Sequence, residues 1–170
     1  FGGYLYFHNA PSSNDFQSET LRLLKDLHHF DVLRGDRATS ANSLEIRVPF
    51  LDKTLVKYVL NLDPTLKMAS AERMEKYILR KTFEKEKLLP YDIIWRRKDA
   101  FSDAVGYSWV DKLKMYAENK KLSEKELYRN VYETVFPNNE SLVPYYWMPK
   151  WSTVNDPSAT YLSIHGERSC

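Results

Sequence analysis

The chain has 170 residues, with a hydrophobic fraction of 43% and an aromatic fraction of 14%. This composition is typical of a packed globular protein and excludes a disordered chain. Lysine plus arginine number 25 and aspartate plus glutamate 23, so the chain lacks the overall positive field that attracts nucleic acid. The length predicts one domain, and no apolar run has the length of a membrane span. We therefore expect a globular protein that binds neither nucleic acid nor membranes.

Two features of the sequence bear on its location and its completeness. The one cysteine is Cys170, which cannot form an internal disulfide, and this fits a reducing compartment. We therefore expect a cytoplasmic protein. The chain opens on "FGGYLYF" rather than on methionine, and we expect it to be part of a longer protein.

Helical periodicity begins with a predicted helix over residues 13–37, capped by Ser13 or Asn14. At 100° per residue one face of this helix is apolar. Asp31 and Arg34 continue that face, so the pattern predicts two charged side chains that point into the protein. The apolar residues that define the face are Phe16, Leu23, Leu24, Leu27 and Phe30.

Asp31 and Arg34 then need a physical reason, because burying a charge without a partner costs several kcal/mol. In a structural interpretation they pair with each other at i, i+3, or with Glu45 and Arg47 of the following loop. In a functional interpretation they supply a carboxylate and a guanidinium at the floor of a ligand cleft. Position alone favours the structural interpretation and leaves the functional one open.

Further helices are predicted over residues 53–61, 72–88, 108–119 and 124–136. The last begins with the capping-box pattern, in which Ser123 caps the helix and Glu126 occupies its third position. The segment before residue 53 contains Pro49 and is predicted to be a loop. Residues beyond 136 show no clear period, so we expect loops and short turns there.

The segment "WRRKDAFSD" carries three successive cations that end in Lys98, between Trp95 and Phe101. The aromatic residues are expected to anchor the segment by burial, and Ser102 or Asp103 is expected to cap the next helix. Cations in such a run are usually solvated surface charges. A lysine is also a compact point charge that suits phosphate oxygens during phosphoryl or nucleotidyl transfer. Lys98 is therefore a candidate catalytic residue.

Metal and nucleotide motifs are missing from the sequence. The four histidines do not have metal-ligand spacing, so we expect no metal site within the chain. No glycine-rich phosphate-binding loop occurs either. If an ATP site exists, another part of the protein must complete it.

Four segments in order, "FGGYLYFHNAPS", "FDVLRGDRATSANSLEIRVPFLD", "MEKYILRKTFE" and "WRRKDAFSDAVGYSW", resemble the C-terminal synthetase domain of glutamine-hydrolysing asparagine synthetases. "YWMPKW" and "NDPSA" near the end agree with the same family. The resemblance implies that residues 1–170 are mainly α. They would form the helical second half of an α/β adenine-nucleotide alpha-hydrolase-like, or ATP-pyrophosphatase, synthetase domain whose parallel sheet lies upstream.

The resemblance also implies a reaction, in which the β-carboxylate of aspartate attacks ATP in the presence of Mg²⁺ to give β-aspartyl-AMP. Ammonia from glutamine, released by an N-terminal glutaminase domain of the same chain, then displaces AMP. Lys98 corresponds to the family lysine that stabilises adenylylation and binds pyrophosphate. Asp31 and Arg34 correspond to positions that bind aspartate or lie close to the intermediate.

Several family elements belong before the first residue: the N-terminal cysteine nucleophile, the "SGGxDS" pyrophosphate loop and the "SGEGSDE"-type segment. We therefore expect the 170 residues alone to be inactive. Two alternatives stay open: a related amide-forming ligase such as a β-lactam synthetase, and a non-catalytic helical interaction module. The sequence does not give the oligomeric state, and a homodimer is among the assemblies that it allows.

Overall fold

A computed structural model describes residues 2–98, 109–142 and 149–152. Every regular element in these ranges is helical and none is a strand, which confirms the prediction of a mainly helical chain. None of the helices described there is long and apolar enough to cross a membrane. The chain divides into two compact units, Phe1–Trp95 and Arg96–Cys170, and each is described by itself below.

The first unit contains six α-helices joined by short turns. They are α1 Ser13–Asp26, α2 Asp31–Ser40, α3 Lys53–Asn61, α4 Pro64–Lys67, α5 Tyr77–Glu86 and α6 Tyr91–Ile94. Short 3₁₀ segments cover Leu5–Asn9, Leu27–His29 and Pro49–Leu51. The buried apolar side chains of this unit are Phe7, Phe16, Val59 and Ile94.

The predicted continuous helix over residues 13–37 is wrong, because the chain leaves the helical conformation between α1 and α2. The last turn of α1 tightens into the 3₁₀ segment, and Phe30 has φ −123° and ψ −106°. The Phe30 N–H donates to the Leu27 carbonyl at 3.2 Å, and the Arg34 N–H donates to the Phe30 carbonyl at 3.0 Å. The direction in which each side chain of α2 points is therefore not set by the helical period of α1.

The start of α1 is capped one residue earlier than predicted. The Asp15 N–H donates to Ser12 Oγ at 3.1 Å, so Ser12 is the cap rather than Ser13 or Asn14. This start carries Phe16 into the core, where it is 1% exposed and its ring lies 4.8 Å from that of Phe7. The first turn of α1 thus joins the aromatic N-terminal segment to the helical core.

The other predicted helices of the first unit are confirmed in type. α3 has the predicted bounds, and the Asp52 carboxylate caps it by accepting from the Leu55 N–H at 2.9 Å. α5 is shorter than the predicted range 72–88. The lysines that flank it, Lys76 and Lys87, have φ of 58° and 51°, and a helix does not continue through this left-handed conformation.

The second unit contains α7 Trp109–Asn119 and α8 Glu124–Val135, as the periodicity predicts to within one residue. The capping box is confirmed: Ser123 Oγ accepts from the Glu126 N–H at 3.2 Å, and the Glu126 carboxylate accepts from the Ser123 N–H at 2.8 Å. The predicted caps Ser102 and Asp103 lie outside the described residues. So does most of the chain beyond residue 142, of which residues 149–152 are described.

Candidate functional site

Asp31 and Arg34 form an ion pair at the start of α2, in which the Arg34 guanidinium donates to Asp31 Oδ1. Their side chains are 42% and 78% exposed, so the prediction that they point into the protein is wrong. The new phase of α2 explains the difference, because the apolar face of α1 does not extend through the interruption. The expected i, i+3 pairing of the two residues is confirmed, but as a surface pair.

Tyr4 adds a third polar group to this pair, because its hydroxyl donates to Asp31 Oδ2. The Tyr4 ring stacks on that of Tyr6 at 5.6 Å with an interplanar angle of 6°. Burial of Tyr4, and then its hydrogen bond to Asp31, raise the pKa of this phenol above its usual range. The phenol therefore stays a protonated donor that fixes Asp31, and Asp31 in turn holds Arg34.

The triad Tyr4–Asp31–Arg34 can bind an anion through Arg34. Both oxygens of the Asp31 carboxylate are engaged within the triad, while the Arg34 side chain is mostly open to solvent. A guanidinium has five N–H donors in a planar fork, which matches a carboxylate or a phosphate. Sequence periodicity missed Tyr4, which is 27 positions from Asp31; the aromatic run "FGGYLYF" was the only local signal.

Glu45 and Arg47 pair with each other rather than with the triad. Arg47 Nη2 lies 3.0 Å from Glu45 Oε1, and the two side chains are 82% and 73% exposed. The alternative in which this loop neutralises Asp31 and Arg34 is therefore wrong for the described structure. An exposed pair of this kind contributes little to stability.

A buried polar cluster lies around Glu75, just before α5. Glu75 is 1% exposed; its Oε1 accepts from Arg80 Nη2 at 2.8 Å, and its Oε2 lies 3.5 Å from His8 Nε2. Arg80 Nε also donates to the Glu75 carbonyl at 3.0 Å. This cluster connects the N-terminal aromatic segment to α5, and sequence patterns gave no sign of it.

The Glu75 carboxyl stays ionised in this buried place. Burial by itself would raise its pKa, but the close contact with His8, a backbone hydrogen bond and the charge of Arg80 outweigh that effect. The pKa of Glu75 is therefore lower than usual. The carboxylate is a fixed negative charge around which the start of α5 is organised.

The residues directly before the cation run are held by side chains of α5. The Arg80 guanidinium donates to the Ile94 carbonyl, and the Trp95 indole N–H donates to Glu84 Oε1 at 2.9 Å. The Trp95 ring also lies 5.5 Å from the ring of Tyr77. The predicted anchoring of this segment by Trp95 is confirmed, whereas Phe101 lies outside the described residues.

Lys98 is half-buried and belongs to the second compact unit. Within the described part of the chain its ammonium makes no ion pair or hydrogen bond, unlike the partly buried guanidinium of Arg80. The structure thus brings Tyr4, Asp31 and Arg34 together in the first unit, whereas Lys98 belongs to the second unit. Among the described residues no group of three or more His, Cys, Asp or Glu side chains could hold a metal ion.

A family model and individual relatives both point to the same protein family. The family model described as asparagine synthase matches residues 1–154. The chain is 42% identical to a probable glutamine-hydrolysing asparagine synthetase of Dictyostelium discoideum, over 97% of this chain and 34% of the relative. It is 43% identical to a probable one of Schizosaccharomyces pombe, over 97% and 34%, and 41% identical to the human glutamine-hydrolysing asparagine synthetase, over 95% and 32%. The chain thus spans about a third of the length of these relatives.

Proposed function

The chain belongs to the asparagine synthase family, and from that premise we propose that it is part of an enzyme that makes asparagine from aspartate, ATP and ammonia derived from glutamine. The observation that carries the proposal is identity above 40% across nearly the whole chain to proteins named as glutamine-hydrolysing asparagine synthetases. Because the chain spans only a third of those relatives, the activity is assigned to the longer parent protein.

In the proposed reaction a β-carboxylate oxygen of aspartate forms a bond to the α-phosphorus of ATP, and the bond to pyrophosphate breaks. Ammonia then attacks the acyl carbon of β-aspartyl-AMP, AMP leaves, and the nitrogen loses a proton to give the amide. Mg²⁺ would accompany ATP and neutralise its phosphates. We assign no residue of this chain to the metal, because the described residues contain no cluster that fits it.

Lys98 is assigned the role of stabilising the negative charge that develops on pyrophosphate as it leaves. The Lys98 residue is half-buried and its ammonium has no partner among the described residues, so this charge is available to meet an anion. A lysine offers a compact charge with three donors, which suits the oxygens of a departing phosphate group. Position in the family motif and burial therefore favour the same role.

Arg34 is assigned to a carboxylate of the aspartate substrate, with Asp31 and Tyr4 as its support. The Tyr4 hydroxyl fixes Asp31, and Asp31 fixes the guanidinium. Holding the guanidinium in one orientation reduces the entropy lost when a substrate binds. The triad thus fits a binding role, while Lys98 fits a role in the transition state.

The remaining parts of the proposal concern the parent protein. An N-terminal glutaminase domain of the same chain would supply the ammonia, in the cytoplasm, and the upstream half of the synthetase domain would supply the sheet and the pyrophosphate loop. The 170 residues alone are expected to be inactive. Aspartate-dependent exchange of pyrophosphate into ATP by the isolated chain would contradict this division of the site.

The assignment of Lys98 is tested by Lys98→Ala in the full-length parent. We expect loss of aspartate-dependent exchange of pyrophosphate into ATP with little change in glutaminase activity, because the substitution removes only charge at the adenylylation step. Lys85→Ala, an exposed lysine on α5, is the control and should retain exchange. Exchange by Lys98→Ala at the wild-type rate would refute the role.

The assignment of Arg34 is tested by Arg34→Leu in the same protein. Charge-assisted hydrogen bonds contribute about 1.5–3 kcal/mol, so we expect KM for aspartate to rise by about ten- to a hundredfold while KM for ATP changes little. Arg37→Leu, which alters an exposed arginine of the same helix, serves as the matched control. An unchanged KM for aspartate in a normally folded variant would reject the binding role.

A further inference from the structure

The first unit carries an apolar groove of about 750 Å³ between α1 and α3. Leu21 and Leu24 of α1 line one wall, and Val56 and Leu60 of α3 line the other. Leu21 is 48% exposed. On each helix the lining residues recur at three- and four-residue spacing, which places them on one helical face. The two helical stripes thus form the long walls of the groove, and Leu27, His28, Val32 and Leu51 from the adjoining segments complete its lining.

Three lysines stand along the groove, Lys25 on α1 and Lys53 and Lys57 on α3. All three are exposed, and none makes an ion pair or a side-chain hydrogen bond with a described residue. No aspartate or glutamate lines the groove. The carboxylates next to it on these helices have other partners: Asp26 lies 3.9 Å from Arg22, and Asp52 caps α3. The groove is thus apolar at its base and cationic on both sides.

The distribution of charge distinguishes between two kinds of occupant. An amphiphile with one anionic head group could meet the cation of one wall only. Lys53 and Lys57 are one helical turn apart on α3, and Lys25 stands on the opposite wall. A helix with an apolar stripe and acidic residues on both flanks would meet all three lysines and fill the space between the walls. Charge complementarity therefore favours a helix.

We propose that this groove binds an amphipathic helix with acidic flanks, contributed by the part of the parent chain that lies outside these 170 residues. The inference rests on the proposed function, in which the chain is part of a longer synthetase. About two thirds of each relative lies outside the matched region, so the family supplies enough chain for such a helix. The groove is then an internal joint of the parent protein.

Zero-length carbodiimide cross-linking of the full-length parent tests the proposal, because it joins an amine to a carboxylate only where the two are in contact. An equal mixture of ¹⁴N- and ¹⁵N-labelled protein separates links within one chain from links between chains. We expect Lys25, Lys53 or Lys57 to join aspartates or glutamates three, four or seven positions apart in one segment of the same chain. Links only between chains, or none from these lysines, would overturn the proposal.

Amine acetylation of the same protein gives a second readout that needs no cross-link. We expect Lys25, Lys53 and Lys57 to react at least tenfold more slowly than Lys85, which is exposed and outside the groove. In the double variant Lys53→Glu, Lys57→Glu, Lys25 should react at nearly the rate of Lys85, because repulsion releases the helix. Equal rates in the wild type, or protection of Lys25 that persists in the variant, would contradict an acidic helix.

Exchange of pyrophosphate into ATP, measured on the same preparation, distinguishes failure of the groove proposal from failure of the proposed function. An active enzyme with freely reacting groove lysines would overturn only the groove assignment. A folded full-length protein with protected lysines and no exchange would support the groove and count against asparagine synthesis.

Discussion

Replacing Glu75 tests whether the buried cluster before α5 stabilises the fold. The Glu75 side chain is 1% exposed and that of Arg80 is 15% exposed, so Glu75→Ala leaves a largely buried guanidinium without its carboxylate. Removing one partner of a buried ion pair costs about 3–5 kcal/mol. Glu75→Gln keeps an acceptor for the Arg80 guanidinium but removes the negative charge that pairs with it, which should cost less than Glu75→Ala, about 1.5–3 kcal/mol.

Urea unfolding followed by far-UV circular dichroism at pH 7 measures both changes as differences in the free energy of unfolding. Glu45→Ala is the matched control, because it removes a carboxylate of the same unit from a pair that is 73% exposed on the glutamate side. Its cost should stay below about 1 kcal/mol. If Glu75→Ala also cost less than about 1 kcal/mol, the cluster would not stabilise the fold as argued.

The pH dependence gives the same prediction an independent check. The pKa of Glu75 is lowered in the folded protein, so the unfolded chain binds the proton more tightly. Its contribution to stability is therefore full above the unfolded pKa, which is about 4.3, and is lost as the pH falls through the lower folded value. The stability difference between wild type and Glu75→Gln should narrow below about pH 4. A constant difference down to pH 3 would contradict an ionised Glu75.

Two further substitutions test local features. Gly2 has φ +55°, and a Cβ there would overlap the Phe16 ring. Gly2→Ala should therefore cost about 2–4 kcal/mol from left-handed strain and overpacking, which would be measured as a lower Tm. An unchanged Tm would show that the N-terminal segment does not pack on α1. Ser123→Ala removes the cap of α8 and should cost about 1 kcal/mol. Faster amide hydrogen exchange in the first turn of α8 is the expected readout, whereas Thr134→Ala near the opposite end should leave that turn unchanged.

Local sequence signals predicted the elements that depend on local chemistry. α3 follows Asp52, whose carboxylate caps it, and α8 follows the Ser123 capping box, so both starts could be read from neighbouring residues. Trp95 was expected to anchor its segment, and its indole hydrogen bond to Glu84 shows how it does so. The family resemblance added a proposed role for Lys98, which charge and spacing alone had left open.

The predictions that failed depend on contacts between distant residues. No proline or glycine marks the end of α1 in "LLKDLHHF", so periodicity continued the helix and placed Asp31 and Arg34 in the interior. Tyr4 contacts Asp31 across 27 positions, and His8 meets Glu75 across a still longer separation. A helical period carries no information about such partners, because they are brought together by the packing of the N-terminal segment against the helices.

The interruption at Leu27–His29 also affects how this unit can change during evolution. In a continuous helix, one inserted or deleted residue would rotate everything after it by about 100°. Here a change of length can be absorbed by the 3₁₀ turn, so the buried face of α1 that carries Phe16 and the Asp31–Arg34 pair of α2 need not keep a common register. Selection can therefore alter the packing of α1 and the position of the Asp31–Arg34 pair independently of each other.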